Sequence, residues 1–256
     1  MKSPSTRIIV ALDFADRTGA LKLIEQLSGV ITAFKVGNQL FTAEGPALVR
    51  EIVSAGLDVF LDLKFHDIPN TVAGGVSSAG RMGVSILNVH ALGGTEMMMA
   101  AARAAAQFGP RPRATLGERL DGQRQDRTTS QPVRPAVIGV TVLTSMDHGS
   151  LRDVGISLDP VNQAVKLARL AIEAGLDGVV ASPQEVAPIR EQINDVGFII
   201  VTPGVRPAGS ETGDQKRVGT PAQAIRDGAD YLVIGRPVTA SRDPKGAAQR
   251  IIETIQ

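Results

Sequence analysis

Asp62, Lys64 and Asp67 fall within six consecutive residues, a charged pair at two-residue spacing with a third charge, a carboxylate, close behind it. Opposite charges this close favour each other's ionised forms, so the cluster is a candidate for acid–base or electrostatic chemistry. In an extended segment residues two apart share a face, so Asp62 and Lys64 project together while Leu61, Leu63 and Phe65 take the opposite side. A charged pair aimed into a core is costly unless it is paired and used. A purely structural ion-pair network is the alternative. It loses ground because other apolar runs also close on polar residues: Asp13, Lys35, Asn88 with His90, Thr144-Ser145, Pro203-Gly204-Val205-Arg206 and Gly235-Arg236. Asp13 and Lys35 can reach the same mouth, giving an alternating array Lys35–Asp62–Lys64–Asp67. Directly after it, Pro69 forces Ile68 to be extended and suits the first position of a helix. Asp67 is thus held by a rigid turn, either at the site or presented to a neighbouring subunit.

The elements that must position these residues alternate along the chain. Eight short, mostly β-branched runs read as strands: Ile8–Asp13, Ala33–Gly37, Val59–Lys64, Val84–His90, Ala136–Leu143, Gly178–Ala181, Phe198–Thr202 and Tyr231–Ile234. Helical spacing fills Gly19–Ser28, Gly45–Ala55, Asn70–Met82, Thr95–Phe108, Pro160–Ala174, Pro183–Asn194, Thr220–Asp227 and Pro244–Ile255. Three near-copies, Ala55-Gly56-Leu57-Asp58, Ala174-Gly175-Leu176-Asp177 and Asp227-Gly228-Ala229-Asp230, mark helix-to-strand turns, where Gly is favoured. Eight β-α units in one chain of 256 residues predict a single-domain α/β protein, a (β/α)8 TIM barrel spanning 1–256. An open, doubly wound sheet is the rival. In a barrel the polar strand ends would line the C-terminal mouth, where active sites lie.

Composition sets outer bounds. Apolar residues make up 43% of the chain and aromatics 3%, so the core must come from Val, Ile, Leu and Ala. With 27 basic against 26 acidic residues there is no footprint for nucleic acid or an anionic membrane. No cysteine is present, which excludes disulfides and thiolate chemistry. No apolar run approaches the roughly 20 residues of a membrane helix, and no secretory h-region is visible, so a cytoplasmic protein is expected. The stretch Gly109–Pro135 breaks the rhythm: six arginines face three acids, with almost no apolar residues. It reads as a mobile polar insertion, with a binding arm as the lesser alternative.

Gly235-Arg236 could join backbone N–H groups and a guanidinium around a phosphate. The segment Pro203–Val218 has the length and glycine content of a lid, and carries Arg206 and Gln215. His66, His90 and His148 form no metal-ligand spacing. Met97-Met98-Met99 reads as helix packing.

The run Asp62-Leu63-Lys64-Phe65-His66-Asp67-Ile68-Pro69-Asn70-Thr71 resembles the signature of the orotidine 5′-monophosphate decarboxylase family. Further matches follow in the order of the family's bacterial form: Ala11-Leu12-Asp13, Phe34-Lys35-Val36-Gly37, Asn88-Val89-His90, Val142-Leu143-Thr144-Ser145, Val201 through Arg206, Asp214-Gln215 and Ile234-Gly235-Arg236. The insertion at Gly109–Pro135 departs from the family but lies away from these motifs. The resemblance implies a cofactor-free, metal-free decarboxylase making UMP in a homodimer with shared sites. It implies that Lys64 protonates C6 of the pyrimidine, with Asp62 beside the substrate carboxylate. Lys35 and Asp13 would hold the ribose and complete the charge array. Asp67, Ile68 and Thr71 would reach the partner's site. Thr144 and Ser145 would contact the base. Arg206, Gln215, Gly235 and Arg236 would bind phosphate, with Pro203 in the closing loop. Sister phosphosugar barrels share an Asp-x-Lys-x-x-Asp core but use Mg²⁺; the Ile-Pro-Asn-Thr continuation and Gln215 favour the decarboxylase. A catalytically dead nucleotide binder is the other rival, against which the intact Lys64 stands.

Overall fold

The computed structural model describes residues 4–110, 133–206 and 217–256. Eight parallel strands close into a barrel in sequence order: β1 (Ile8–Ala11), β2 (Ala33–Gly37), β3 (Asp58–Phe65), β4 (Ile86–His90), β5 (Ala136–Val140), β6 (Gly178–Val180), β7 (Ile199–Thr202) and β8 (Tyr231–Ile234). β1 pairs with both β2 and β8, which removes every open edge and rules out the doubly wound sheet. Around it run α1 (Arg17–Gln26), α2 (Asn38–Ser54), α3 (Pro69–Arg81), α4 (Gly94–Ala106), α5 (His148–Asp153), α6 (Pro160–Glu173), α7 (Val186–Gln192), α8 (Pro221–Arg226), α9 (Arg236–Thr239) and α10 (Pro244–Thr254). Most of the expected insertion Gly109–Pro135, and most of the expected lid, lie outside the described residues.

Alternation along the strands divides the core into two layers. Ile9, Ala11, Ala33, Phe60, Ile86, Ala136, Ile138, Val201, Tyr231 and Val233 fill the barrel interior. Val59, Leu61, Leu87, Val89, Ile200 and Leu232 face outward into the helix layer. The interior residues block the lower barrel, so polar groups one step further along each strand open only toward the C-terminal mouth.

The three near-copied turns meet the opposite end. Gly56, Gly175 and Gly228 adopt φ of 80°, 81° and 106°, and each is followed two residues later by an aspartate at or just before the start of a strand. Asp177 accepts the Val137 N–H and Asp230 the Ile200 N–H, both at 2.8 Å, while Asp58 accepts the Ser85 hydroxyl. The repeated Asp therefore ties each strand to its neighbour at the barrel floor. Arg134 and Arg190 pair with Asp177 and Asp230, and Arg7 donates to the Ala229 carbonyl at 2.6 Å.

Several elements differ from the expected boundaries, the helices most. α2 starts at Asn38 and kinks at Gly45, whose φ of 65° is non-helical; Pro46 then starts the second segment. The helical spacing detected from Gly45 captured only the part beyond the kink. Neither α5 nor α9 was expected; Asp147 caps α5 by accepting the Ser150 N–H at 2.9 Å.

Candidate active site

A cavity of about 590 Å³ opens at the C-terminal mouth, within the size range of small-molecule sites. Among the described residues, four cations, Lys35, Lys64, Arg206 and Arg236, and two carboxylates, Asp13 and Asp62, line it. That imbalance suits a polyanionic ligand. Thr144, Ser145, Pro203 and Gly235 also line the wall.

At its floor is a continuous chain of alternating charge. Lys35 Nζ lies 2.9 Å from Asp13 Oδ1 and 3.5 Å from Asp62 Oδ2; Lys64 Nζ lies 2.7 Å from Asp62 Oδ1. β2 and β3 supply this arrangement through register: Lys35 stands beside Phe60 and Gly37 beside Asp62. A Cβ at Gly37 would sit 2.9 Å from Lys35 Nζ, so a side chain there would push the ammonium away from its present position between Asp13 and Asp62. Burial pushes the Asp62 carboxyl pKa up, but Lys35, Lys64 and hydrogen bonds from Lys64 and Asn88 outweigh it and leave it below the ordinary value. Asp62 is therefore ionised at neutral pH.

Lys64 is held by an irregularity in β3. Leu61 pairs with Leu87 and Phe65 with Val89, so β3 advances four residues while β4 advances two. Lys64 takes φ of 51°, the one non-glycine with positive φ among the described residues. The bulge re-aims the ammonium while Phe65 still packs outward, its ring against the backbone of Gly75 in α3. Alternation thus identified the right pair, although the segment between them is not a regular strand.

Asp67, Ile68 and Thr71 do not join this cavity within one chain. All three are exposed, Ile68 at 67%, and Asp67 Oδ1 accepts the Ile68 N–H at 2.6 Å. The acid completing the array on the same chain is Asp13, at the end opposite Lys64. Gln215 lies outside the described residues. His66 stacks on His90 with ring centroids 5.3 Å apart. Burial, then the neighbouring His66 and Lys64, push the His90 pKa down to about 4.

Sequence reasoning missed a buried pair behind the mouth. Arg217 bridges to Glu185 and donates to Ser182 Oγ at 3.2 Å and to the Val142 and Leu143 carbonyls at 3.1 and 2.8 Å. It thereby anchors the chain just before Thr144-Ser145. The Ser182–Glu185 capping box, with the Ser182 N–H donated to Glu185 Oε2 at 2.8 Å, was the readable part of this cluster.

A closed parallel barrel with a charged acid–base array at its C-terminal mouth defines the chain as a (β/α)8-barrel enzyme. The family model for "Orotidine 5′-phosphate decarboxylase / HUMPS family" matches residues 6–251, and the chain belongs to that family. A relative from Moorella thermoacetica, described as orotidine 5′-phosphate decarboxylase, is 51% identical over 98% of this chain and 92% of its own. One from Pseudoalteromonas translucida, with the same description, is 47% identical over 98% of both chains. The crystal structure of orotidine 5′-phosphate decarboxylase from Lactobacillus acidophilus superposes with a TM-score of 0.79 at 33% identity, covering 97% of this chain and 98% of that one.

Proposed function

We propose that this chain decarboxylates orotidine 5′-monophosphate to UMP in pyrimidine biosynthesis, with Lys64 protonating C6. The observation that carries the reading is the Asp13–Lys35–Asp62–Lys64 chain at the floor of a cationic cavity. The C6–carboxylate bond breaks, CO2 departs, and the electron pair stays on C6. The Lys64 ammonium stabilises that pair and gives it a proton. Asp62 keeps Lys64 charged and orients it, and lies beside the leaving carboxylate. Lys35 and Asp13 hold the ribose, and Thr144 and Ser145 contact the base. Arg206, Gly235, Arg236 and Gln215 take the phosphate, with Pro203 at the base of the closing loop. Binding at the phosphate end then helps to organise the reacting end. The Lys64 ammonium supplies the charge stabilisation that the step needs, so the reading requires no metal or cofactor.

Asp67, Ile68 and Thr71 serve the neighbouring subunit's site in a homodimer. Their exposure on a turn that leaves their own cavity supports this. Mixing Asp67→Ala and Lys64→Ala chains, each inactive alone, should restore part of the activity by forming one intact site; no recovery in a mixed dimer would refute sharing. A cytoplasmic location follows from the biosynthetic role, and cell fractionation checks it. Among the described residues no helix is long and apolar enough to cross a membrane.

The test of the activity is incubation with orotidine 5′-monophosphate in excess EDTA, following pyrimidine absorbance. Equimolar UMP and CO2 are expected. No UMP at high enzyme would sink the reading, and activity lost to EDTA and restored by Mg²⁺ would favour the phosphosugar branch.

A further inference from the structure

Lys64 is placed by an arrangement that the backbone alone does not sustain. The two-residue slip of β3 against β4 takes the Lys64 N–H out of the regular ladder, and φ of 51° is strained for a residue with a Cβ. A part-buried N–H outside the ladder still needs a partner, and one side chain supplies it. Asn88 is fully buried and accepts the Lys64 N–H on Oδ1 at 2.8 Å. Its Nδ2 donates to Asp62 Oδ1 at 2.7 Å, the same oxygen that receives Lys64 Nζ. Ile86, two residues earlier on β4, faces the barrel interior, so Asn88 rises from that layer directly beneath the charged pair.

We propose that Asn88 is a positioning residue for the reaction, whose single amide fixes both the Lys64 backbone in its bulge and the Asp62 carboxylate that orients the Lys64 ammonium. Only a side chain with one acceptor and one donor in a planar group does both. A leucine of similar size would orphan the Lys64 N–H, and a carboxylate would keep the acceptor but repel Asp62. Asn88 does not line the cavity, so it acts through its two neighbours.

The inference rests on the proposed decarboxylation. Wild-type turnover is therefore measured alongside Asn88→Ala and Asn88→Asp, with product UMP as the binding probe by calorimetry. Loss of hydrogen bonds to a charged group predicts that kcat falls about ten- to a hundredfold in both variants. UMP affinity, set by phosphate and ribose, should change less than about threefold. In Asn88→Asp, kcat should rise again as pH falls and the new carboxyl regains a proton to donate to Asp62. The charged and titratable groups around that position are Asp62, Lys35 and Lys64, with Asp13 beyond Lys35 and His90 two residues along β4. Asn88→Ala has no such acid-side recovery, so the difference between the two profiles belongs to the new carboxyl. If Asn88→Ala does not fold, Asn88→Asp decides alone. Unchanged kcat, or kcat and UMP affinity falling together without acid recovery, would overturn the proposal. Absence of wild-type turnover would instead overturn the decarboxylase reading.

Discussion

Replacing Glu185 by Gln isolates the charge of the buried pair behind the mouth. Glu185 is fully buried and Arg217 only 6% exposed. The new amide can still accept the Ser182 N–H, so the capping bond survives and the ionic partner of Arg217 is what disappears. Leaving one member of a buried pair uncompensated costs about 3–5 kcal/mol. The lower end applies here, because Arg217 retains Ser182 Oγ and two carbonyls. At about 2–4 °C per kcal/mol for a chain of this size, Tm should fall by about 6–12 °C. Arg217→Met should lower Tm as well and also raise KM, because the Val142 and Leu143 carbonyls before Thr144-Ser145 lose their anchor. The double variant should be less damaging than the sum, with a coupling of about 1–3 kcal/mol. Thermal unfolding by circular dichroism and steady-state kinetics on all four proteins supply the cycle. A Glu185→Gln protein melting within about 1 °C of wild type, or strictly additive effects, would refute the reasoning.

Two further outcomes follow from the site. Arg236→Ala should raise KM about tenfold or more with a smaller change in kcat, since a charge-assisted bond to phosphate is lost; an unchanged KM would remove Arg236 from the phosphate site. His90 is depressed from 6.5 to about 4, so the unfolded chain takes up a proton there that the folded chain refuses. Its contribution to stability is therefore lost as pH falls from about 6.5 toward 4 and changes no further below that. His90→Gln should show a smaller drop in Tm between pH 7 and pH 4.5 than wild type; an equal drop would contradict the assignment.

Much of this molecule was legible in order along the chain. The eight β-α units were visible because strand runs and helical spacing alternate, and the three Gly-x-Asp turns because local backbone geometry demands glycine. Asp62 and Lys64 could be paired because two-residue spacing is a local rule. Features made only when distant segments meet were hidden. The bulge at Lys64 exists as a mismatch between β3 and β4, and nothing within β3 announces it. Asn88 was visible as a polar strand end, but its two bonds depend on that mismatch. Arg217 and Glu185 meet across separate loops, with the Ser182 capping box as the sole local hint. The part of α2 before Gly45, about two turns, was hidden by the kink that follows it. Asp13, which the resemblance put with Lys35 on the ribose and in the charge array, accepts a hydrogen bond from Lys35 Nζ.

The central claim is that Lys64 delivers the proton to C6, and Lys64→Ala tests it most directly. Wild type and variant are given orotidine 5′-monophosphate at saturating concentration, and UMP is quantified, with calorimetric binding of UMP as the check on the fold and the phosphate end. The account predicts that UMP formation falls by several orders of magnitude while the variant still melts cooperatively and binds UMP. Near-normal UMP formation by Lys64→Ala would contradict it.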